Sequence, residues 1–491
     1  MRGPVRFGPS GRRRRPRGDR TVGRSVRHPV ARPSRLGTGR RRHRGAGNSR
    51  PIGPHVPREG NPRALVRPEG SPHAATGAGW GTMHDVPTLV TRADVEAARA
   101  DQHGVVRRTP VEPSRVLSAP AGGPVLLKCE NLQRTGSFKI RGAYRRIQRL
   151  SDAERARGVV AASAGNHAQG VALAAGLLGA EATVFMPAGA PLPKLAATRG
   201  YGARVELVDT FDATLVAAQE FADRTGAVLI HPFDHPDIIA GQGTVGLEIA
   251  EQVPDARTVV VCTGGGGLVA GIAAALHGTG IRVVGAQAEG LAAWPVSLAA
   301  GVPTTVTGAT IADGIAVPRP GELTFAQVTA QVDEIVTVSE EALSRAVLQS
   351  LERSKLLVEP AGAAAVAAIA EYPGRWEAPV VGLVSGGNVD PLMLAEIVRR
   401  GMVAAGRYAG LRVRMPDRAG YLADLLALVG RLGGNVVDVE HRRLGASADL
   451  GPLALGTVEV ALTLEARGPE HQDAILTALR DAGHVVAEGA V

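Results

Sequence analysis

Short runs of β-branched residues alternate with longer stretches rich in alanine and leucine from about residue 105 to residue 400, and this alternation constrains the fold most. The runs predict strands at 125–128, 159–161, 183–186, 204–208, 258–262, 282–286 and 380–384. Strands that alternate with helices along a chain form an open, mostly parallel sheet covered by helices. The sequence therefore predicts an α/β fold.

A smaller unit follows this region. The helical pattern ends at a predicted linker, 404–410, and strands at 411–415, 436–440 and 457–464 then alternate with helices at 422–431 and 472–482. A turn at Gly433, Gly434 and Asn435 separates the first of these helices from the next strand. The pattern predicts a compact βαββα module over 411–491, a small α+β domain.

The first 82 residues have a different character. They contain 20 arginines, no lysine and three carboxylates, with many glycines and prolines and no hydrophobic periodicity. Such a segment cannot bury enough surface to offset the entropy of ordering, so we expect disorder. Met83 directly precedes a helix predicted at 91–100, which Thr91 and Asp94 would cap, so translation from Met83 is an alternative.

Composition also bounds the compartment and the partners. Cys129 and Cys262 lie in predicted strands, where small buried hydrophobes are expected, so no disulfide framework is predicted. No window offers about 18 uncharged apolar residues, and the arginine-rich start lacks the apolar core of a signal peptide. We expect a cytoplasmic protein with no membrane partner. The residues after 82 carry a net charge of 10 − 17 = −7, so the basic start says nothing about the partners of the folded part, for which we expect no nucleic acid.

Lysine is rare in this chain, and one lysine stands in an unusual setting. Lys139 lies in the segment GSFKIRGA (136–143), at the opening of a predicted helix, where backbone N–H groups and the helix dipole disfavour a cation. Such a setting lowers the pKa of an amine and favours Schiff-base chemistry. Taken alone, the segment also allows an ordinary solvated lysine.

Three further segments follow predicted strands, at the sheet edge where open α/β folds bind ligands. TGGGGLVAG (263–271) lets backbone N–H groups converge on a phosphate, but Gly265, Gly267 and Ala270 also fit a dinucleotide-binding fingerprint. SAGNHAQG (163–170) offers N–H groups and a hydroxyl to a carboxylate, and SGGN (385–388) is a fourth polar loop. Taken alone, the glycine segment therefore does not decide between a dinucleotide and pyridoxal phosphate as the cofactor.

Together, in this order, the four segments resemble the fold-type-II pyridoxal-phosphate enzymes, and within them the threonine dehydratases (threonine ammonia-lyases), over residues 88–400. The resemblance implies a two-lobed, tryptophan synthase β-like catalytic domain at 83–403, with a smaller lobe at about 130–232 and pyridoxal 5'-phosphate as cofactor. It implies elimination of water from L-threonine, followed by hydrolysis of the released enamine to 2-oxobutanoate and ammonia, and the same route from L-serine to pyruvate.

The resemblance also implies roles for individual residues. Lys139 would bind the cofactor covalently and, once displaced by the substrate amine, remove the Cα proton. Asn166 would bond the ring oxygen and Ser385 would face the ring nitrogen. The other cofactor contacts would come from Phe138, Gly264, Gly265, Gly266, Gly267, Leu268 and Gly314. The substrate would be bound by Ser163, Ala164, Gly165, Asn166 and His167.

Two positions bear on the alternatives within the family. Serine racemases resemble it with a serine where this chain has Ala164, and the loss of that second base favours elimination over racemisation. Pro295 stands where some relatives place a carboxylate of a metal site, beside Glu289 and Ala293, so we expect no metal. A serine dehydratase or racemase of the same fold is one alternative, and a non-catalytic amino-acid sensor is another.

The tail from residue 411 resembles an ACT domain, with MPDRAGYL (415–422) as its strand-to-helix turn. The resemblance implies allosteric control by isoleucine or valine, and an oligomerisation module without ligand is the alternative. We expect a homo-oligomer, either dimer or tetramer. Isoleucine biosynthesis and threonine degradation both stay open as the physiological role.

Overall fold

The computed structural model describes residues 87–489 apart from 444–445, 448–450 and 453. By their mutual contacts these residues belong to one compact unit, Pro62–Val491. The predicted disorder of residues 1–82 and the alternative start at Met83 lie outside the described residues. No helix in the described ranges combines the length and the apolar character that crossing a membrane requires.

Ten described strands precede the C-terminal unit, and most are short and rich in β-branched residues, as strands buried on both faces should be. They are β1 (Val111–Pro113), β2 (Val125–Cys129), β3 (Val159–Ala162), β4 (Ala182–Pro187), β5 (Arg204–Val208), β6 (Val228–Leu229), β7 (Thr258–Cys262), β8 (Arg282–Ala288), β9 (Glu334–Val338) and β10 (Val380–Val384). The strands predicted at 204–208, 258–262 and 380–384 are confirmed to the residue, and the other four differ by one or two residues at their ends. The sequence did not predict β1, β6 or β9.

Fourteen described helices accompany these strands. They are α1 (Arg92–Asp101), α2 (Arg115–Ala121), α3 (Lys139–Gln148), α4 (Asp152–Ala156), α5 (Asn166–Leu177), α6 (Leu192–Gly200), α7 (Phe211–Thr225), α8 (Pro236–Gln252), α9 (Gly267–Leu276), α10 (Ala293–Ala300), α11 (Glu322–Gln331), α12 (Glu340–Gln349), α13 (Pro360–Glu371) and α14 (Pro391–Ala404). The predicted cap of α1 is confirmed, since Thr91 and Asp94 form a reciprocal capping box.

The larger sheet has the strand order β1-β2-β10-β7-β8-β9. Only β1 is antiparallel to its neighbour, and the other described pairs are parallel. Every residue of β7 and β10 is buried, and α9 and α13, which are also buried, pack against these strands. A sheet covered in this way needs apolar residues on both faces of its strands, which explains the valine runs at 259–261 and 380–381.

The smaller sheet has the order β5-β4-β3-β6 and is parallel throughout. Side chains alternate between its faces: Val159 and Ala161 join one hydrophobic cluster, whereas Val160 joins another. Because β7 and β10 are parallel neighbours, the segments that follow them leave the same edge of the larger sheet, and the segment that follows β3 leaves the carboxyl edge of the smaller sheet. The predicted α/β fold class with open, mostly parallel sheets is confirmed.

The C-terminal unit is built on an antiparallel sheet of order β12-β15-β11-β16. Alternating apolar residues of its central strands, such as Leu411 and Val460, pack against helix residues such as Leu425 and Ile475. Its elements are β11 (Tyr408–Pro416), α15 (Tyr421–Arg431), β12 (Asn435–Arg442), β13 (Ala446–Ser447), β14 (Gly451–Pro452), β15 (Thr457–Glu465), α16 (Pro469–Asp481) and β16 (Val485–Gly489).

Two predictions for this unit were wrong in detail. The linker predicted at 404–410 is shorter, because β11 begins at Tyr408, which pairs with Glu465 of β15. The βαββα pattern lacked its last strand, since β16 closes one edge of the sheet beside β11. That strand is short and half exposed, so its sequence carries no clear hydrophobic alternation.

Candidate active site

A cavity of about 520 Å³ collects the segments that the sequence singled out. Its lining combines the loop after β3, the start of α3, the loop after β7 and the loop after β10. Every predicted site residue lies on it, namely Phe138, Lys139, Ser163, Ala164, Gly165, Asn166, His167, Gly264, Gly265, Gly266, Gly267, Leu268, Gly314 and Ser385. The cavity thus brings together residues as far apart in the chain as Phe138 and Ser385.

Lys139 is the first residue of α3, and its amine enters the cavity. Nζ donates a hydrogen bond to the carbonyl oxygen of Pro232 at 3.0 Å. Burial lowers the pKa of Lys139 to about 8, while Cys262 and Glu359 oppose part of this shift. The sequence predicted a low pKa for another reason, the helix N-terminus; the structure gives burial as the main cause.

The glycine loop, defined as Gly264–Gly267, forms a cradle at the start of α9. Gly266 caps the helix with a φ of 99°, a backbone conformation that residues other than glycine rarely adopt. A Cβ on Gly265 would collide with the ring of Phe233, and a Cβ on Gly266 would lie 2.5 Å from Trp294. First-turn N–H groups have no partner within their own helix, so this cradle can bind an anion.

The loop after β3 forms another wall of the cavity. The Gly165 N–H donates to Ser163 Oγ at 3.1 Å, and α5 begins at Asn166. His167 is buried, and its Nε2 lies 2.8 Å from the carbonyl oxygen of Ile230. Burial lowers the pKa of His167 to about 3, which keeps the ring neutral. We therefore expect its backbone N–H, and not its ring, to face a ligand.

A buried carboxyl group that the sequence did not reveal lies beside Asn166. Asn166 Nδ2 donates to Glu359 Oε1 at 2.6 Å, and Asn166 Oδ1 accepts from Asn388 Nδ2 at 2.8 Å. Burial, reinforced by the charge of Asp313, raises the pKa of Glu359 to about 7. Both polar ends of the Asn166 amide are therefore held in place.

An ion pair that the sequence also did not predict borders the cavity. Lys194 Nζ lies 2.6 Å from Asp313 Oδ2, and both residues line the cavity. Lys194 belongs to α6, beside the smaller sheet, whereas Asp313 begins a short 3-10 turn, Asp313–Ile315, which also contains Gly314. The rarity of lysine in the sequence was the only signal that could have drawn attention to Lys194.

Neutral groups line the end of the cavity at β10. Cys262 Sγ lies 3.1 Å from Ser385 Oγ, and both side chains are buried. Burial raises the pKa of the Cys262 thiol to about 11, so the thiol keeps its proton at neutral pH. Within the described ranges, no group of three or more His, Cys, Asp or Glu residues is arranged to hold a metal ion.

Comparison with known proteins decides which cofactor class this site belongs to. Residues 103–386 match the family model described as pyridoxal-phosphate dependent enzyme. The chain belongs to this family. The resemblance drawn from the four segments is thereby confirmed, and of the two cofactor classes left open for the glycine loop, pyridoxal phosphate is the one that the family uses.

Individual relatives of this pyridoxal-phosphate enzyme are similar over most of the chain. It is 45% identical over 395 residues to the L-threonine ammonia-lyase of Thermotoga maritima, an alignment that covers 79% of this chain and 98% of that protein. The processed form of threonine deaminase isoform 2 from Solanum lycopersicum matches with a TM-score of 0.59 and 34% identity, covering 64% of this chain and 95% of that one. Maize serine racemase matches with a TM-score of 0.60 and 37% identity, covering 64% and 99%.

The residues present fit pyridoxal phosphate. The glycine loop leaves no room for a Cβ at Gly265 and presents a helix N-terminus, as a phosphate requires. Lys139 supplies a primary amine of lowered pKa inside the same cavity, as covalent attachment of an aldehyde requires. The cavity volume lies in the range of cofactor sites in proteins.

Proposed function

We propose that this pyridoxal-phosphate enzyme is a threonine ammonia-lyase, which eliminates water from L-threonine and releases an enamine that water then hydrolyses to 2-oxobutanoate and ammonia. L-Serine would give pyruvate by the same route. The observation that carries the proposal is that the Lys139 amine, the glycine loop and the loop after β3 line one cavity. The identity to the Thermotoga maritima ammonia-lyase supports the choice of substrate.

Lys139 is the base in this proposal. When bound, pyridoxal phosphate supplies an electron sink for the charge that develops at the substrate Cα. With a pKa near 8, a substantial fraction of the Lys139 amine is neutral at physiological pH and can take the Cα proton. The N–H groups of the glycine loop would hold the phosphate, and the Ser163 hydroxyl with the N–H groups of Asn166 and His167 would hold the substrate carboxylate.

The β10 end of the cavity favours elimination. Ser385 and the protonated Cys262 thiol carry no charge, so they cannot stabilise a protonated ring nitrogen as a carboxylate would. A weaker electron sink suits β-elimination better than transamination. Asn166, fixed by Glu359 and Asn388, would orient the ring oxygen.

An assay of 2-oxobutanoate release from L-threonine tests the proposal. Lys139→Ala should lower kcat by at least about 1,000-fold, because both the cofactor attachment and the base are lost. Lys355→Gln is the matched control, since Lys355 is exposed and lies outside the described cavity lining. A wild-type enzyme that releases no 2-oxo acid from threonine or serine would contradict the proposal.

Serine racemisation is the second candidate, favoured by the similarity to the maize enzyme. Ala164 lines the same wall as Ser163 and Gly165, and its methyl group cannot accept or donate a proton. Elimination without racemisation follows from that residue. Chiral analysis of the products from L-serine separates the candidates: pyruvate without D-serine supports the lyase, and D-serine as the main product supports the racemase.

We further propose that the C-terminal unit binds isoleucine or valine and changes the activity. Arg407, which precedes β11, contacts the catalytic part through Nη1, 2.6 Å from Glu352 Oε1. Glu352 lies in a π-helical turn, Ser350–Ser354, and the chain then continues to Glu359 in the cavity wall. A π-helical turn between two such places is a suitable element for transmitting a change. The cytoplasmic location and the homo-oligomer stay predictions, and isoleucine synthesis and threonine degradation both stay open as the physiological role.

A further inference from the structure

Two buried side chains hold the glycine loop from the side away from the cavity. Trp294 Nε1 donates a hydrogen bond to the carbonyl oxygen of Gly264 at 2.6 Å. Thr324 Oγ1 donates to the carbonyl oxygen of Gly265 at 2.7 Å. Both side chains are fully buried, and neither belongs to the described lining of the cavity.

These two bonds fix the directions of the loop's N–H groups. In a trans peptide the carbonyl group and the following N–H point in opposite directions. A Gly264 carbonyl turned toward Trp294 therefore turns the Gly265 N–H the other way, toward the cavity. The Gly265 carbonyl is turned toward Thr324, and the Gly266 N–H therefore also points toward the cavity.

The two donors are themselves held rigidly. The Trp294 backbone N–H donates to Gln287 Oε1 at 2.9 Å, and its ring stacks on Phe325 with centroids 6.2 Å apart. The Thr324 N–H donates to Asp234 Oδ1 at 2.9 Å. Donors that cannot move aside transmit their own positions to the loop.

We propose that Trp294 and Thr324 are positioning residues for the phosphate-binding loop. They act through the carbonyl oxygens of Gly264 and Gly265, and so set how strongly the enzyme prefers a phosphorylated cofactor to one without phosphate. The inference rests on the proposed function, in which the glycine loop holds the cofactor phosphate. Neither residue touches the reacting atoms, so we expect each to change the relative affinity for the two cofactors more than the rate of the reaction.

The chain offers matched controls for both side chains. Trp376 is buried and donates through Nε1 to Glu334 Oε2 at 3.0 Å. Thr258 is buried and donates through Oγ1 to the carbonyl oxygen of Glu377 at 3.0 Å. Trp376→Phe and Thr258→Val therefore remove the same donor groups from buried side chains at places that do not touch the glycine loop.

The test compares two cofactors on the full chain after removal of its own cofactor with hydroxylamine. Pyridoxal 5'-phosphate and pyridoxal are titrated in turn, and the absorbance of the lysine-bound form gives a Kd for each. Trp294→Phe and Thr324→Val should each raise the Kd for pyridoxal phosphate about tenfold and change the Kd for pyridoxal less than about twofold. Thr324→Ser, Trp376→Phe and Thr258→Val should leave the ratio of the two constants near the wild-type value.

Other results overturn the inference. If both constants rise together in Trp294→Phe and Thr324→Val, the residues have a general structural role only. If neither constant changes, the two bonds do not orient the loop. If circular dichroism shows that Trp294→Phe does not fold, the comparison of Thr324→Val with Thr324→Ser tests the inference by itself. A wild type that binds both cofactors equally would instead refute the assignment of the loop to phosphate, and with it that part of the proposed function.

Discussion

Lys139 enters the cavity with a pKa near 8 because burial disfavours its charged form, and this has a measurable consequence. Only the neutral amine attacks an aldehyde, so the rate of cofactor attachment rises with pH as Lys139 loses its proton. The rate should level off above about pH 8, well below the ordinary lysine value of 10.5. The rate is measured by stopped-flow absorbance after cofactor-free enzyme is mixed with pyridoxal phosphate at a series of pH values.

Lys355→Gln should give the same pH profile as the wild type, because that lysine is exposed and outside the described cavity lining. A midpoint near pH 10 would show that Lys139 is solvated like an ordinary lysine. Burial could then not be the physical reason for the reactivity of this amine at neutral pH.

The sequence revealed the parts of the site that are contiguous and missed those that the fold assembles. GSFKIRGA and TGGGGLVAG combine unusual residues within a few positions, so Lys139 and the glycine loop stood out. Glu359 and Lys194 are isolated in the sequence, and only tertiary structure brings them to the cavity. Trp294 and Thr324 reach the loop from α10 and α11, and nothing in their local sequence signals that contact.

At the scale of elements, a buried ion cluster supports the helix that carries Lys139. Arg141 of α3 is completely buried and binds Glu130 and Glu248, each at 2.8 Å. Glu248 of α8 also binds the buried Lys128 of β2. The cluster therefore ties α3 to α8 and to the larger sheet.

Arg141→Met should lower the free energy of unfolding by about 3–5 kcal/mol, since it leaves Glu130 and Glu248 buried without their main counter-charge. Urea unfolding followed by circular dichroism measures the change. Arg92→Met is the control: Arg92 pairs with Glu96 on the exposed face of α1, and its loss should cost less than about 1 kcal/mol. Equal effects of the two variants would mean that the buried cluster contributes no more than a surface pair.

The sequence predicted the positions of the buried strands better than it predicted how many strands the sheets contain. The runs at 258–262 and 380–384 are apolar, β-branched and buried on both faces, so their limits could be predicted to the residue. The strands β1, β9 and β16 carry charged residues or proline and lie at sheet edges, where one side needs no partner. Their pairing depends on neighbours that local sequence does not specify.

At the scale of the whole molecule, Arg407 and Glu352 join the C-terminal unit to the catalytic part. Glu352→Gln weakens that contact, so an effector bound to the C-terminal unit should change the activity several-fold less than in the wild type. The measurement is threonine turnover with and without isoleucine or valine, alongside calorimetry of effector binding. Binding that persists while the response falls is the expected result.

Glu341→Gln is the matched control, since Glu341 is an exposed acid in the first turn of α12. An unchanged response in Glu352→Gln would show that this ion pair carries no coupling. A wild type that binds neither amino acid would favour the oligomerisation module over the regulatory site.

The central claim is that Lys139 holds the cofactor, and the chain's four lysines make it directly testable. Borohydride reduction fixes the cofactor on its lysine, and mass spectrometry of a proteolytic digest then locates the modified residue. We predict the phosphopyridoxyl group on the peptide that contains Lys139, and unmodified Lys128, Lys194 and Lys355. Modification of one of those three instead, or of none of the four, would contradict the claim.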